Sequence, residues 1–197
     1  MVPPDNSKRV AVLASGNGSN LQALLDNVHN RDGVEIVRVI SDKPGAFALQ
    51  RAAASDVPTA VFPREDFEDR AARDAAIAEQ LRDDDVALVV LAGYMAILSP
   101  QFIRDFEGRI VNVHPSLLPK FPGLDAIGQA LRAGEAETGV TVHYVDEGVD
   151  TGPTIAQESL TIDPDEPLEA LTERIHEIEH RLLPSVVARL AQEKVSP

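Results

Sequence analysis

Asn112 and His114 stand at the end of the run Ile110-Val111-Asn112-Val113-His114-Pro115. Side chains two apart on a strand point the same way. The spacing therefore predicts that both project together at the carboxyl end of a sheet, the edge where open α/β sheets bind ligands. An asparagine amide donates to a developing oxyanion, and a histidine gives or takes a proton near neutral pH. The proline-rich stretch from Pro115 to Pro122, ending in Gly123, suits a stiff pocket wall. A strand end whose two polar residues bond to loop backbone would read the same. Asp150 lies further on, in the turn-rich segment Glu147-Gly148-Val149-Asp150-Thr151-Gly152-Pro153. Such a carboxylate can hold a histidine in its charged form, or it can simply bond its own turn. Spacing alone leaves both open.

A second pattern is Ser15-Gly16-Asn17-Gly18-Ser19-Asn20, between an expected strand and an expected helix. Glycines allow a tight turn, and the first N–H groups of a helix attract an anion. Ser19 or Asn20 is also a natural helix cap. The dinucleotide fingerprint requires a third glycine where Leu21 stands, so a single phosphate fits better than a pyrophosphate. A third pattern, His176-Glu177-Ile178-Glu179-His180, matches the short metalloprotease motif H-E-x-x-H. Its charged neighbours Glu173, Arg174 and Arg181 favour a polar helix face instead, and no metal is expected.

These residues need a frame that alternates strand and helix. Strand-like runs fall at 10–14, 34–40, 59–62, 86–91, 110–113, 140–145 and 154–162. Helical patterns fall at 20–28, 47–54, 67–81, 100–106, 127–133 and 167–190. The run Ala87-Leu88-Val89-Val90-Leu91 reads as a strand buried on both faces, as in a parallel sheet. The expected fold is a doubly wound α/β domain with a mostly parallel sheet. The last two strands are joined by 146–153 without a helix, so an antiparallel strand is expected in the C-terminal half. Pro184 is expected to kink or break the last helix.

The chain has 197 residues, no cysteine, 44% hydrophobic residues and a formal net charge of -14. The acidity and the scattered Lys and Arg argue against nucleic acid. Part of that acidity, Asp83-Asp84-Asp85, reads as a solvated helix end. No apolar run approaches the roughly 18 residues that span a bilayer, and no signal peptide is evident. These features point to the cytoplasm and to small-molecule partners; a homodimer stays open.

The strings ASGNGSN at 14–20, LAGYMAILSP at 91–100, NVHPSLLPKFPG at 112–123 and DEGVDTGP at 146–153 resemble, in the same order, those of phosphoribosylglycinamide formyltransferases. The resemblance runs over about residues 8 to 192. It implies one Rossmann-like formyltransferase domain, with a nucleotide-phosphate half at about 8–108 and a folate and catalytic half at about 109–192. It implies formyl transfer from 10-formyltetrahydrofolate, a co-substrate, to the amine of glycinamide ribonucleotide in de novo purine biosynthesis, without a metal. Gly18, Ser19 and Asn20 would hold the phosphate, with Glu179 and His176 near the ribose. Arg70, Met95, Ala96, Ile97 and Leu98 would meet the folate, with Asn112 and the segment Asp146, Glu147, Gly148, Val149 and Asp150. Asn112, His114 and Asp150 would be the catalytic group.

Two positions depart from relatives: Asp125 stands where many have a histidine thought to support the catalytic group, and Ala96 where many have arginine. The rival readings are a formyltetrahydrofolate deformylase, which turns folate over without the acceptor, and a non-catalytic nucleotide-binding module.

Overall fold

The computed structural model describes residues 7–193. Seven strands, β1 (Lys8–Leu13), β2 (Val34–Ser41), β3 (Thr59–Val61), β4 (Leu88–Leu91), β5 (Ile110–His114), β6 (Glu137–Tyr144) and β7 (Thr154–Thr161), form one sheet. The helices between and after them are α1 (Ser19–Asn27), α2 (Phe47–Ala54), α3 (Arg70–Asp83), α4 (Pro100–Asp105), α5 (Ala126–Arg132) and α6 (Leu168–Gln192). The sheet order is β3-β2-β1-β4-β5-β6-β7. The first five strands run parallel; β6 runs against its neighbours β5 and β7. The expected α/β architecture and the antiparallel strand are both present. The chain reverses its direction of sheet growth between β1 and β4, which makes the crevice at their carboxyl ends the natural ligand site.

Strand alternation divides the core into two layers. Val10 and Val12 of β1 pack with α1, α2 and α6 on one face, and Ala11 and Leu13 pack with α3 and α4 on the other. All four residues of β4 are buried, as the unbroken apolar run required. Among the described residues, no helix is long and apolar enough to cross a membrane.

Four local expectations are corrected. First, of the two outcomes expected at Pro184, the break does not occur: α6 runs on through it. The proline is itself buried, and Leu183, Val186, Val187 and Leu190 beside it are packed into the core, so tertiary burial holds the helix across the missing hydrogen bond. Second, α3 begins at Arg70 rather than near Phe67, because Asp69 caps it by accepting from the Ala72 N–H at 2.8 Å. Third, Gly18 is the N-cap of α1, without a side-chain cap bond, and Ser19 is its first helical residue. The left-handed turn at Gly18 starts the helix there and leaves its first N–H groups without a side-chain acceptor. Fourth, Asp84 is not simply solvated. It takes the Arg38 fork at 2.7 and 2.7 Å, which ties the end of α3 to β2 and lowers the carboxyl's pKa.

Candidate active site

β5 turns Val111 and Val113 into the core shared with α6, so Asn112 and His114 face the other side together. β6 adds a third group. His143 lies directly opposite Asn112 in the antiparallel register, and opposed residues share a face. The segment between β6 and β7 then brings in Asp150, whose backbone is left-handed at φ 53. Gly152 allows this return, because a Cβ there would collide with the Tyr144 carbonyl.

Asp150 is the hub of the cluster. One carboxylate oxygen accepts the Gly123 N–H at 2.8 Å and lies 3.3 Å from His114 Nδ1. The other accepts from Asn112 Nδ2 at 3.3 Å and lies 3.5 Å from His143 Nε2. Burial pushes this carboxyl's pKa up, but His143, the Gly123 N–H and the charge of His114 together outweigh burial. The carboxyl ends below its ordinary value and stays ionised. The far nitrogens of the histidines have acceptors of their own: His114 Nε2 is 2.8 Å from the Phe121 carbonyl, and His143 Nδ1 is 2.8 Å from the Tyr144 carbonyl. The proline-rich stretch is thus a wall that grips the histidine. Asn112 Nδ2 sits 3.2 Å from His143 Nε2. Both Asn112 contacts are longer than a good N–H···O bond, and a charged oxygen can compete for this donor.

The glycine loop is braced by α2. The Ala48 N–H bonds the Gly16 carbonyl at 3.1 Å, and a Cβ on Gly18 (φ 75) would lie 2.7 Å from that of Ala48. Arg51 donates to the Asn17 carbonyl at 2.9 Å and to its side chain at 3.0 Å, while stacking over Phe47. Behind the loop, Asn20 Nδ2 donates to Glu179 at 2.9 Å, and both residues are buried. Burial raises the Glu179 pKa; Asn20 and His176 oppose that only in part. Asn20 Oδ1 and His180 Nε2 are buried without a partner among the described residues. Of the sequence-derived residues, Asn20 and Glu179 thus meet where α1 packs on α6; Gly18 and Ser19 open α1, and His176 lies one turn before Glu179.

Between these two places lies the segment after β4. Ser15 links them: its N–H bonds the Gly93 carbonyl at 3.0 Å, and its hydroxyl accepts the Met95 N–H at 2.8 Å. Met95 and Ile97 are 59% and 65% exposed, whereas Leu98 is buried. Val149 is also exposed and touches the Gly123 position. Arg70 is exposed on the first turn of α3. Asp146 bonds Gly148 and Thr151 within its own turn, and Glu147 pairs with Arg104 of α4 at 2.7 Å. Asp125 pairs with Arg132 at 2.7 Å. Of the H-E-x-x-H residues, His176 and His180 stack at 6.0 Å, while Glu179 turns to Asn20.

An asparagine amide and two histidines gathered around an ionised carboxylate can stabilise an oxyanion and move a proton. The chain matches the formyl transferase family over residues 8–187. It belongs to that family. It is 46% identical to phosphoribosylglycinamide formyltransferase of Bacillus subtilis, over 93% of this chain and 94% of that protein. It is 50% identical to the trifunctional purine biosynthetic protein adenosine-3 of Drosophila melanogaster, over 93% of this chain but only 14% of that longer protein. The crystal structure of glycinamide ribonucleotide transformylase 1 from Geobacillus kaustophilus is 50% identical, with a TM-score of 0.91, covering 94% of this chain and 99% of that one. The expected fold and family both stand.

Sequence reasoning missed His143 and Arg51. The alternation Val140, Thr141, Val142, His143 did signal that His143 is on the face opposite Val140 and Val142. Only the β5–β6 register puts it opposite Asn112.

Proposed function

We propose that this formyltransferase moves the formyl group of 10-formyltetrahydrofolate to the amine of glycinamide ribonucleotide in purine biosynthesis, in the cytoplasm. The observation that carries the mechanism is the convergence of Asn112, His114 and His143 on the ionised Asp150.

The glycine loop suits the ribonucleotide. The uncapped start of α1 offers N–H groups to the phosphate. Glu179, with the unpartnered Asn20 Oδ1 beside it, suits ribose hydroxyls, and His176 lies at the rim. The folate fits the other side. The exposed apolar side chains of Met95, Ile97 and Val149 offer a surface to a flat ring system. Ala96, Leu98 and the turn Asp146-Glu147-Gly148 complete the contact through backbone, and Arg70 meets the anionic end. Ala96 leaves that surface unchanged if the contact there is main-chain.

Asn112 donates to the formyl oxygen as the amine adds and negative charge develops on it, and the positive charge of protonated His114, whose two N–H groups face the Phe121 carbonyl and Asp150, stabilises that charge electrostatically. One such donor is typically worth about a hundredfold in rate or more. Asp150 balances the charge of His114 and relays the amine proton towards the leaving folate nitrogen. Holding both substrates in one crevice supplies much of the remaining acceleration.

The test is to incubate the protein with 10-formyltetrahydrofolate, with and without glycinamide ribonucleotide. Folate turnover only with the acceptor, with formylglycinamide ribonucleotide as product, is expected. Turnover without acceptor would mean deformylation, and phosphate-ligand binding without folate turnover would mean a binding module.

A further inference from the structure

We infer that the buried Arg73–Asp74 pair of α3 is a positioning device that presets the segment 95–99 for the formyl donor. This rests on the proposed assignment of Met95 to Leu98 to the folate.

Both side chains are almost completely buried, at 5% and 0% exposure, and they bond through Asp74 Oδ1 at 2.6 and 2.9 Å. A buried ion pair is a weak source of stability, because desolvation cancels much of the attraction. Its other contacts are more informative. Asp74 Oδ2 accepts the Ser99 N–H at 2.5 Å, and Arg73 Nη2 donates to the Ile97 carbonyl at 3.2 Å. Each ion therefore spends part of its capacity on its partner and part on the same stretch of backbone.

The stretch is held at its other end as well, through Met95 N–H on Ser15. Ser99 also starts α4, accepting the Phe102 N–H at 3.3 Å. Between these anchors Met95 and Ile97 stay more than half exposed. An unrestrained apolar segment would gain by turning such side chains inward. The anchors hold them out, as a surface awaiting a flat apolar ligand needs. Arg70 lies one turn before Arg73, and residues three apart share a helix face. Arg73 braces the segment from within, while Arg70 is exposed to solvent.

The test compares Arg73→Met and Arg73→Lys with the unaltered protein, using the whole chain. Arg73→Met should raise the KM for 10-formyltetrahydrofolate by about tenfold, while the ribonucleotide KM moves by less than about twofold. Amide exchange at 95–99 in the free protein should quicken. Arg73→Lys, which keeps the charge but not the fork, should recover part of both effects. If Arg73→Met does not fold, Arg73→Lys and Asp74→Asn carry the test, each expected to shift the donor KM selectively. A fall in melting temperature with both KM values unchanged would overturn the proposal. A non-reactive folate analogue separates the two readings. If it fails to slow amide exchange at 95–99 in the unaltered protein, the folate assignment fails and the proposal with it. If it slows exchange there, yet binds the variants as tightly as the original, only the proposal fails.

Discussion

The carboxylate of Asp150 lies 3.3 Å from Nδ1 of His114, although His114 ends β5 and Asp150 lies in the connection between β6 and β7. Asp150→Asn is therefore the sharpest test of the mechanism. It keeps the shape and removes the charge that His114, His143 and the Gly123 N–H share. Turnover should fall by about a hundredfold or more, as for other losses of oxyanion stabilisation. The ribonucleotide KM should change little, because the proposed phosphate site is the separate glycine loop. The NMR signals of the His114 and His143 ring protons should move between the two proteins, because both rings lose their anionic partner. Near-normal turnover would make Asp150 an ordinary turn residue.

The same carboxyl predicts an acid limb of stability. Its folded pKa is below its ordinary value of 3.8, so the unfolded chain binds the proton more readily. The stabilisation is complete above that ordinary value and is lost as pH falls through the lower folded value. Melting temperatures measured through that acidic range should therefore fall less steeply in Asp150→Asn than in the unaltered protein. Parallel curves would show that the carboxyl is not held down by its neighbours.

Much of the frame was legible because it depends on local pattern. The run from Leu88 to Leu91 had to be buried on both sides, and the Asn112–His114 spacing had to put both side chains on one face. What stayed hidden depends on long-range register or on paired burial. His143 becomes a partner of Asp150 only once β6 is laid antiparallel on β5. Arg73 and Asp74 look like surface charges in a helix rich in them, and only the fold shows that they are buried together. Pro184 does not break its helix for the opposite reason, since packing around it holds the chain helical.

Gly18 should tolerate no side chain. Its φ of 75 is unfavourable for other residues, and a Cβ would meet Ala48 at 2.7 Å. Gly18→Val should therefore raise the ribonucleotide KM by about tenfold or more, with a much smaller change for the folate. Steady-state kinetics with each substrate varied in turn would check this. Equal effects on both would contradict the phosphate assignment.

Chelation should leave activity intact. Among the described residues no group of three or more His, Asp or Glu is placed to hold a metal ion. Metal analysis of the purified protein should find no stoichiometric zinc. Zinc held by His176 and His180 would restore the metal reading.

Glu179 should trade stability for binding. The side chain is buried, and burial raises its pKa above the ordinary 4.5 despite the Asn20 bond and the nearby His176. A group that binds its proton more tightly in the fold loses stability as pH rises from its unfolded to its folded pKa. Above that window the ionised Glu179 is a net cost to the free protein, offset only when a ligand supplies donors. Glu179→Gln keeps the oxygen that accepts from Asn20 Nδ2 and drops the charge. Its new N–H donors also enter a spot where Asn20 Oδ1 is unpartnered. Without ligand, the variant should melt higher than the original at neutral pH, and the gain should vanish as pH falls towards 4.5. Its ribonucleotide KM should rise by about tenfold, because a hydrogen bond from ligand to a charged acceptor is lost. Thermal melts across that pH range, with KM measured for both substrates, check both halves. A variant that melts lower at neutral pH would show that the carboxylate is already satisfied in the free protein. A ribonucleotide KM that did not move would take Glu179 out of the substrate site.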